Sequence, residues 1–464
     1  MSITELEQHI KSGEKCHLVG VGGVSMSPLA EILYNMGIKV SGSDISDSEA
    51  VERLRELGID VKVGHEPQHI SDAKYIIRTA AAREDNIEIK EARKRKVPVY
   101  ERAQAWGYIM RRYKHAICVA GAHGKTTTTS MIAQILLCAE VDPTIMIGGT
   151  LPVLGSGYRV GTGDTIVLES CEYYNSYHNF YPTVAVILNI DADHLDFFKD
   201  IDDLKSSFRK FAKLVPEHGF IVCNSDDANS VDALAPLERD LFKFGFGNEA
   251  RLRGVNVKHE GKNPSMDIIL DEKPFCKVKL QVPGLHNLKN ALAASAAAIS
   301  IGIPAEIVEQ GLNNFYGVGR RFEYKGSING ADVYDDYAHH PNELKPMLSA
   351  ARALGKYERI ILAFQPHTYT RTSALFDDFV NELSQADITF LAPIYAAREQ
   401  NEIGITSDML ADAIPGARSY ATFTEISDEI AAIAREGDIV LTVGAGDIYK
   451  VGETLVGSLY QNRR

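Results

Sequence analysis

The sequence predicts an α/β protein built from three domains. Strand and helix signals alternate along the chain, which is typical of parallel α/β architecture. The length of 464 residues corresponds to roughly three domains at about 150 residues each. Two glycine-rich turns, near residues 20 and 121, each follow an apolar strand and precede a helix, as in helix-linked parallel strands. The predicted domains are residues 1–112, 113–318 and 319–464.

The composition indicates a globular chain from a reducing compartment. Hydrophobic residues make up 45% and charged residues 24%, and the formal net charge is −13. An acidic chain without a long basic run disfavours general binding to nucleic acid or to an anionic membrane. Segment 291–303 is too short to span a bilayer, and the six cysteines form no CxxC pair. We expect a cytoplasmic monomer or homodimer with no nucleic-acid partner and no membrane insertion.

The first domain is predicted to open with a strand at 17–20, a glycine turn, and a helix at 28–36. A second strand at 38–40 leads to Ser43 and Asp44. Glycines in such a turn let the backbone approach a diphosphate, and a carboxylate after the next strand reaches nucleoside groups. The candidate contacts are Gly20, Gly22, Gly23, Ser43 and Asp44. Further strands are predicted at 73–78 and 97–100.

The remaining two domains continue the alternation of strands and helices. A helix is predicted from Lys125 to about Cys138, and an Ala-rich helix begins near Asn287. The stretch 242–282 is β-rich, and 317–320 has the composition of a linker. Strands are predicted at 116–120, 165–169, 183–189, 331–334, 359–363, 388–392 and 438–443.

The sharpest local signal is the turn between the strand at 116–120 and the following helix, which reads GAHGKTTTT. Such a loop directs backbone N–H groups at phosphate near a helix N-terminus, with a lysine for the outer phosphates and a threonine for Mg²⁺. The loop is shorter than the usual eight-residue pattern, because Val119 stands where that pattern has glycine. The candidate phosphate-binding residues are Gly121, His123, Gly124, Lys125, Thr126 and Thr127. This loop predicts a P-loop ATPase domain with a parallel sheet between two Rossmann-like domains.

Polar clusters follow two further strands of the middle domain. The segment LESCE ends at Glu172, and the segment ILNIDADHLD contains His194. The carboxyl ends of parallel strands are where ligands bind in open sheets. Carboxylate and hydroxyl oxygens suit Mg²⁺, and an imidazole can join where a second metal is needed. The sequence therefore predicts a metal site that includes Thr126, His194 and one or both of Glu169 and Glu172.

Several segments together resemble the Mur ligase family, in the family's order. GAHGKTTTT is similar to the family's ATP loop, and LESCEYYNSY and VILNIDADHLD are similar to its magnesium-binding segments. GLHNLKN is similar to the segment that contacts adenine, and GVGRRFE is similar to the segment that leads into the third domain. The segments DDYAHHP and FQPHTYTR resemble the signature of the branch that adds L-alanine. The likeness extends from residue 18 to about residue 450.

The resemblance implies an enzyme that uses ATP and Mg²⁺ to join L-alanine to UDP-N-acetylmuramate through an acyl phosphate. It implies catalytic roles for Lys125, Glu172, His194, Arg321 and His340. Further nucleotide contacts are implied at Asn287, Asn290 and Asp336. The residues implied to orient the carboxylate and the amino acid include His339, His367 and Arg371.

Two departures from the family pattern bear on these roles. The segment Ser170-Cys-Glu-Tyr-Tyr174 is less acidic than in the better-known members, and the N-terminal turn has Ser25 and Pro28 where glycines are usual. The first turn is also close to a dinucleotide fingerprint, so an NAD-dependent oxidoreductase stays open as a second hypothesis. Two more hypotheses stay open: a non-catalytic homologue, and a family ligase that attaches a recycled tripeptide to the same sugar nucleotide.

Overall fold

The computed structural model describes residues 3–191, 197–259, 261–397 and 399–461, without the side chains of 458–461. The chain forms two compact units. The first comprises Met1–Arg253, Ile269–Lys273 and Leu292–Gly311, and the second comprises Gly254–Ile268, Pro274–Ala291 and Leu312–Arg464. Within the described ranges, no helix combines the length and the apolar character needed to cross a bilayer.

The N-terminal part of the first unit contains a five-stranded sheet in which every described strand pair is parallel. The strand order is β3-β2-β1-β4-β5, so the order reverses between β1 and β4. The strands are β1 (Cys16–Val19), β2 (Val40–Asp44), β3 (Asp60–Val63), β4 (Tyr75–Arg78) and β5 (Val99–Glu101). The helices are α1 (Ile3–Lys11), α2 (Ser27–Asn35), α3 (Glu49–Glu56), α4 (Ile87–Lys94) and α5 (Arg102–Met110), with a 3₁₀ turn at Pro67–Ile70.

A ten-stranded sheet follows, in the order β15-β14-β13-β12-β11-β10-β6-β9-β7-β8. Its strands are β6 (His115–Ala120), β7 (Thr144–Leu151), β8 (Ser156–Arg159), β9 (Thr165–Glu169), β10 (Val184–Ile187), β11 (Phe220–Asn224), β12 (Phe242–Gly245), β13 (Leu252–Lys258), β14 (Ser265–Leu270) and β15 (Lys273–Lys279). The helices are α6 (Lys125–Cys138), α7 (Ile201–Ala212), α8 (Ala228–Leu234), α9 (Leu285–Ser300) and α10 (Ala305–Asn313), with a 3₁₀ segment at Tyr173–Asn179.

The third sheet has six strands in the order β16-β17-β21-β18-β19-β20. These are β16 (Glu323–Ile328), β17 (Ala331–Asp336), β18 (Arg359–Phe364), β19 (Ile388–Leu391), β20 (Arg418–Ser419) and β21 (Asp438–Val443). The helices are α11 (Pro341–Ala353), α12 (Tyr369–Ala374), α13 (Phe376–Leu383), α14 (Ser407–Ala413), α15 (Phe423–Ile433) and α16 (Tyr449–Gln461). Its central strands are buried along their length, because helices cover both faces of a parallel sheet.

The predicted fold class is confirmed, with one refinement. The central sheet is mixed, since β8 pairs antiparallel with β7, and in the third sheet β16 pairs antiparallel with β17. Strands β7 and β8 were not predicted, because their glycines lower the local strand propensity. The predicted helix near Asn287 begins two residues earlier, at Leu285. The domain boundaries at residues 112 and 318 stay a prediction.

Candidate active site

The loop between β6 and α6 is a tight glycine turn closed against the end of β10. Gly121 and Gly124 have φ of +149° and +84°, in the region that favours glycine. A Cβ on Gly121 would lie 3.0 Å from Leu188 Cβ and 3.2 Å from the backbone nitrogen of Asn189. The loop therefore brings backbone close to the N-terminus of the fourteen-residue helix α6, where N–H groups attract phosphate.

Asn189 fixes the shape of this loop, a role that the sequence analysis did not assign. Its Oδ1 accepts a hydrogen bond from His123 N at 2.8 Å, and its Nδ2 donates to His123 O at 3.0 Å. The Asn189 carbonyl also accepts from Ala122 N at 3.2 Å. Its position as the last residue of the predicted strand at 183–189, beside the acidic cluster, was the available signal.

Lys125 and Glu172, predicted to act together, lie in contact at the loop. Lys125 Nζ is 3.3 Å from Glu172 Oε1 and 3.4 Å from Oε2, and it also donates to the carbonyls of Gly121 and Ala122. The Glu172 side chain is buried. A cation and a carboxylate therefore lie together at the end of the strands that carry the loop.

The donors around Lys125 suit a hard cation. Thr126 is buried in the first turn of α6, and Glu172 lies beside its neighbour Lys125. A hydroxyl and a carboxylate are oxygen donors of the kind that Mg²⁺ takes, so these residues fit that ion. His194 lies outside the described residues. Among those described, no group of three or more His, Cys, Asp or Glu side chains is arranged to hold a metal ion.

The segment after Glu172 turns back sharply. Tyr174 and Asn175 both have positive φ, at 54° and 52°, and Asn175 Oδ1 accepts from the Ser207 hydroxyl. Burial raises the pKa of the Cys171 thiol to about 11. A protonated thiol is a poor nucleophile, so Cys171 is not a candidate for covalent chemistry.

The N-terminal glycine turn is held against the ends of β2 and β4. A Cβ on Gly20 would lie 2.5 Å from Thr79 Cγ2, and Gly22 N donates to Asp44 Oδ2 at 2.9 Å. Gly23 N closes the turn by donating to the Gly20 carbonyl at 3.2 Å. The Ser43 side chain is fully buried, so it lies behind the turn rather than at its surface.

Ser25, which stands where a glycine is usual, has a partner that sequence reasoning missed. The Arg102 guanidinium donates to Ser25 Oγ, and Trp106 Nε1 donates to the Ser25 carbonyl at 3.0 Å. Arg102 lines a cavity of about 340 Å³ that also includes Gly23, Gly148 and Glu169. Burial lowers the pKa of Arg102, as expected for a guanidinium with little water around it. The glycine turn, the Arg102 guanidinium and the end of β9 therefore line the same cavity.

The two asparagines of the second unit form a buried pair at the start of α9. Asn287 Nδ2 donates to the Pro283 carbonyl at 2.7 Å, and Asn290 Nδ2 donates to Asn287 Oδ1 at 3.3 Å. The Pro283 carbonyl therefore orients the Asn287 amide, and the Asn287 amide orients that of Asn290.

Asp336 ends β17 and is buried under two backbone donors. Its Oδ2 accepts from Phe322 N and its Oδ1 from Ala338 N, both at 2.7 Å. Burial raises the pKa of Asp336 to about 6, while attraction to Arg321 opposes that rise. The Arg321 guanidinium lies 5.2 Å from the centre of the Tyr337 ring.

Three of the predicted acceptor-site residues lie together in the second unit. The rings of His339 and His367 are 5.5 Å apart, and Arg371 Nη1 donates to His367 Nδ1 at 3.3 Å. Burial lowers the pKa of His339 and brings that of His367 to about 4. His340 instead caps α11, where its Nδ1 accepts from Asn342 N at 3.2 Å.

Three family models match consecutive parts of the chain. The match to the Mur ligase family catalytic domain covers residues 15–114, the match to the Mur ligase middle domain covers residues 119–298, and the match to the Mur ligase glutamate ligase domain covers residues 320–446. The chain belongs to the Mur ligase family. This membership sets aside the dinucleotide oxidoreductase for the first domain, and it implies the use of ATP.

Individual Mur ligases resemble the chain over nearly its whole length. The UDP-N-acetylmuramate–L-alanine ligase of Clostridium novyi is 42% identical over 95% of this chain and 97% of its own. The ligase of the same name from Acetivibrio thermocellus is 43% identical over 94% of both chains. The structure of UDP-N-acetylmuramate–alanine ligase from Thermotoga maritima has a TM-score of 0.81 at 29% identity, covering 97% of this chain and 100% of that chain. A murein peptide ligase from Psychrobacter arcticus shares the fold, with a TM-score of 0.71 at 22% identity over 96% of this chain and 98% of that one.

Proposed function

We propose that this Mur ligase joins L-alanine to the carboxylate of UDP-N-acetylmuramate at the expense of ATP, a step in the synthesis of peptidoglycan precursors. The observation that carries the proposal is the likeness to ligases named for this reaction, which extends over 95% of the chain. The contact between Lys125 and Glu172 at the glycine loop supports the phosphoryl-transfer half of the reaction.

The carboxylate of the sugar nucleotide attacks the γ-phosphorus of ATP, which gives an acyl phosphate and ADP. Transfer between two anions needs positioned cations more than covalent catalysis. Lys125 is the proposed cation for the transferred phosphoryl group, and the N–H groups of the loop hold the remaining phosphates. The contacts of Lys125 with the loop carbonyls and with Glu172 place its ammonium at the mouth of the loop before substrate binds.

Thr126, Glu172 and His194 are the residues proposed to hold Mg²⁺. When bound, this ion supplies positive charge that lowers the cost of bringing the phosphoryl and carboxylate oxygens together. Burial of Glu172 keeps its carboxylate in one orientation at the loop. Asn287, Asn290 and Asp336 are the proposed contacts to the rest of ATP.

The sugar nucleotide is proposed to bind at the N-terminal turn. Gly20, Gly22 and Gly23 expose backbone for the diphosphate, and Asp44 fixes the turn through Gly22 N. Arg102 supplies a desolvated guanidinium beside that turn, and a planar guanidinium binds phosphate or carboxylate through paired hydrogen bonds.

L-Alanine completes the reaction by nucleophilic attack on the acyl carbon. The new C–N bond forms as the bond to phosphate breaks, and the amine gives up a proton. Arg371 is the proposed partner of the alanine carboxylate. Because burial lowers the pKa of His339 and His367, both rings are neutral near pH 7 and can accept N–H hydrogen bonds or a proton. Arg321 and His340 are proposed to help position the activated carboxyl group.

Phosphate release measured with UDP-N-acetylmuramate, ATP and a panel of acceptors tests this proposal. We expect L-alanine to be used best, with glycine and L-serine poorer by about 1–3 kcal/mol in specificity. Each product is to be verified by mass, with reactions lacking ATP as the control. A tripeptide acceptor that outperforms L-alanine would assign the protein to peptide recycling, and the absence of any ATP-dependent product would overturn the ligase assignment.

A further inference from the structure

A buried carboxylate in the N-terminal domain is surrounded by histidine and serine side chains that the proposed chemistry does not use. Glu88, on α4, is inaccessible to solvent. Its Oε2 accepts from Ser43 Oγ at 2.6 Å and lies 3.0 Å from His65 Nδ1, and its Oε1 lies 2.8 Å from His69 Nδ1. His17 Nε2 lies 3.8 Å from Oε2. Burying a carboxylate without partners costs folding free energy, and the surrounding histidine and serine side chains offset that cost for Glu88.

The direction of each hydrogen bond follows from the charge of Glu88. Burial raises its pKa, but the interactions with His17, Ser43 and His69 outweigh that effect and bring the pKa to about 2. An ionised carboxylate only accepts hydrogen bonds, so the Nδ1 atoms of His65 and His69 carry hydrogen. In a neutral imidazole of this tautomer, Nε2 is an acceptor.

This cluster lies at the edge of the sheet where ligands of parallel α/β domains bind. His65 follows the end of β3 by two residues, and Ser43 lies near the end of β2. The Ser43 carbonyl accepts from Gly20 N at 2.8 Å and from Val21 N at 3.0 Å. Glu88 is therefore joined to the glycine turn through Ser43, and to the end of β3 through His65.

The two histidines bound to Glu88 differ in where their second nitrogen faces. His69 Nε2 lies 3.9 Å from Glu66 Oε2. The His65 side chain is 18% exposed, and its Nδ1 edge faces the buried Glu88, so the opposite edge is the one that reaches solvent. Strand β3 lies two strand spacings from β1, about 10 Å. A nucleoside extending from a diphosphate at the turn covers a similar span.

We infer that Glu88 is a positioning residue for the nucleoside of the sugar nucleotide: it holds His65 so that Nε2 accepts a hydrogen bond from a nucleoside N–H or O–H group. The inference rests on the proposed function, because that function places a uridine nucleotide at this turn. It assigns recognition of the nucleoside to Glu88 and His65, separate from the glycines and Arg102 that are proposed to bind the diphosphate.

Calorimetric titration of UDP and of UDP-N-acetylmuramate into the full-length protein tests the inference without relying on turnover. His65→Asn keeps an N–H group for Glu88 but has no atom in place of Nε2. Glu88→Gln replaces one of the two carboxylate oxygens, which lie beside His65 and His69, with an amide group that cannot accept a hydrogen bond. Loss of one hydrogen bond predicts about tenfold weaker binding for each variant. The double variant should bind no more weakly than either single variant, because both act through one contact. KM for the sugar nucleotide should rise while kcat and KM for ATP stay constant.

His69→Asn is the matched control, since it also keeps an N–H group for Glu88 but faces Glu66. It should bind both ligands as the unmodified protein does. Unchanged binding by a folded His65→Asn variant overturns the inference, and so do additive effects in the double variant or equal losses in His69→Asn. If the unmodified protein fails to bind UDP-N-acetylmuramate, the proposed function fails instead. Should Glu88→Gln not fold, the comparison of His65→Asn with His69→Asn decides the outcome.

Discussion

At the scale of single residues, the phosphate loop depends on one ammonium group. Lys125 Nζ contacts both loop carbonyls and the buried Glu172 carboxylate. These contacts hold a flexible four-carbon side chain in place before ATP arrives, which reduces the entropy lost on binding. We propose that from this position the ammonium faces the charge that develops during phosphoryl transfer.

Lys125→Ala should therefore lower the rate of product formation by roughly a thousandfold, because a positioned cation contributes several kcal/mol to the barrier. The thermal unfolding midpoint should change little. Lys94→Ala, which removes a lysine that is 79% exposed, is the control. Near-normal turnover in a folded Lys125→Ala protein contradicts the assignment.

Arg102 should act on the sugar nucleotide and not on ATP. Arg102→Gln removes a charged donor from the cavity beside the glycine turn. Losing charged hydrogen bonds costs about 1.5–3 kcal/mol, so KM for UDP-N-acetylmuramate should rise roughly tenfold to a hundredfold. Steady-state kinetics with each substrate varied in turn measures this, with the exposed Arg112→Gln as control. An effect confined to ATP would show that Arg102 serves another substrate.

Asp336 should make stability depend on pH. Its folded pKa of about 6 lies above the ordinary value of 3.8, so the folded state holds a proton that the unfolded chain has released. The resulting stabilisation is complete below about pH 4 and is lost as pH rises through about 6. The unfolding midpoint of the native protein minus that of Asp336→Asn should therefore fall between about pH 4.5 and 7.5. A constant difference would mean that Asp336 does not titrate in this window.

At the level of secondary structure, strand β6, its glycine loop and helix α6 form one continuous strand–loop–helix motif. The loop is fixed from outside by Asn189, which follows β10, because a loop of this length has few internal hydrogen bonds. Two strands that are adjacent in the sheet, β6 and β10, thereby set the position of the loop backbone proposed to bind phosphate.

Gly121→Ala should damage this unit more than an equivalent change elsewhere. The new methyl group would meet Leu188 and Asn189 at 3.0–3.2 Å, and φ of +149° is strained for alanine. Gly155→Ala is the matched control, since Gly155 has φ of +63° and nothing within 4 Å of the added Cβ. We expect the first variant to lose ATP affinity and several degrees of thermal stability, and the second to lose only about 1–2 kcal/mol. Calorimetric ATP titration compares them, and equal affinities would contradict the proposed loop geometry.

At the scale of the whole molecule, an acidic chain binds anionic substrates. The formal net charge is −13, so the overall field repels nucleotides. We therefore propose that binding depends on local groups such as Lys125, Arg102, Arg371 and the N–H groups of glycine turns. Salt screens long-range repulsion more than it screens buried contacts, so moderate ionic strength should not abolish binding.

UDP-N-acetylmuramate should raise the thermal unfolding midpoint of the full chain, and NAD should not. A ligand at one hundred times its Kd stabilises the folded state by about 2.7 kcal/mol. Differential scanning calorimetry with each ligand measures the shift, with UDP-glucose as a control for the sugar. Stabilisation by NAD without stabilisation by the uridine nucleotide would restore the oxidoreductase hypothesis for the N-terminal turn.

Patterns along the chain were enough to predict the fold class, the order of most strands and helices, and the strand, glycine turn and helix between residues 116 and 138. These features depend on local patterns: apolar strands, a glycine turn and a helix start are read from neighbouring residues. The helix Lys125–Cys138 and the strand Asp438–Val443 were predicted at their observed bounds for this reason. The family likeness added roles that no local pattern contains.

Contacts between side chains that are distant in the sequence could not be predicted and follow from the packing of the folded chain. Glu88 and His65 are 23 residues apart, and Arg102 and Ser25 are 77 residues apart, so no periodicity links them. The hydrogen bond from the Ser43 hydroxyl to the buried Glu88 is a further contact of this kind, and the role of Ser43 as a ligand contact stays a prediction. Such contacts depend on strand order within the sheet, which brings the ends of β1, β2 and β3 to one edge. Strand order is set by the packing of the whole domain, and the local chain does not specify it.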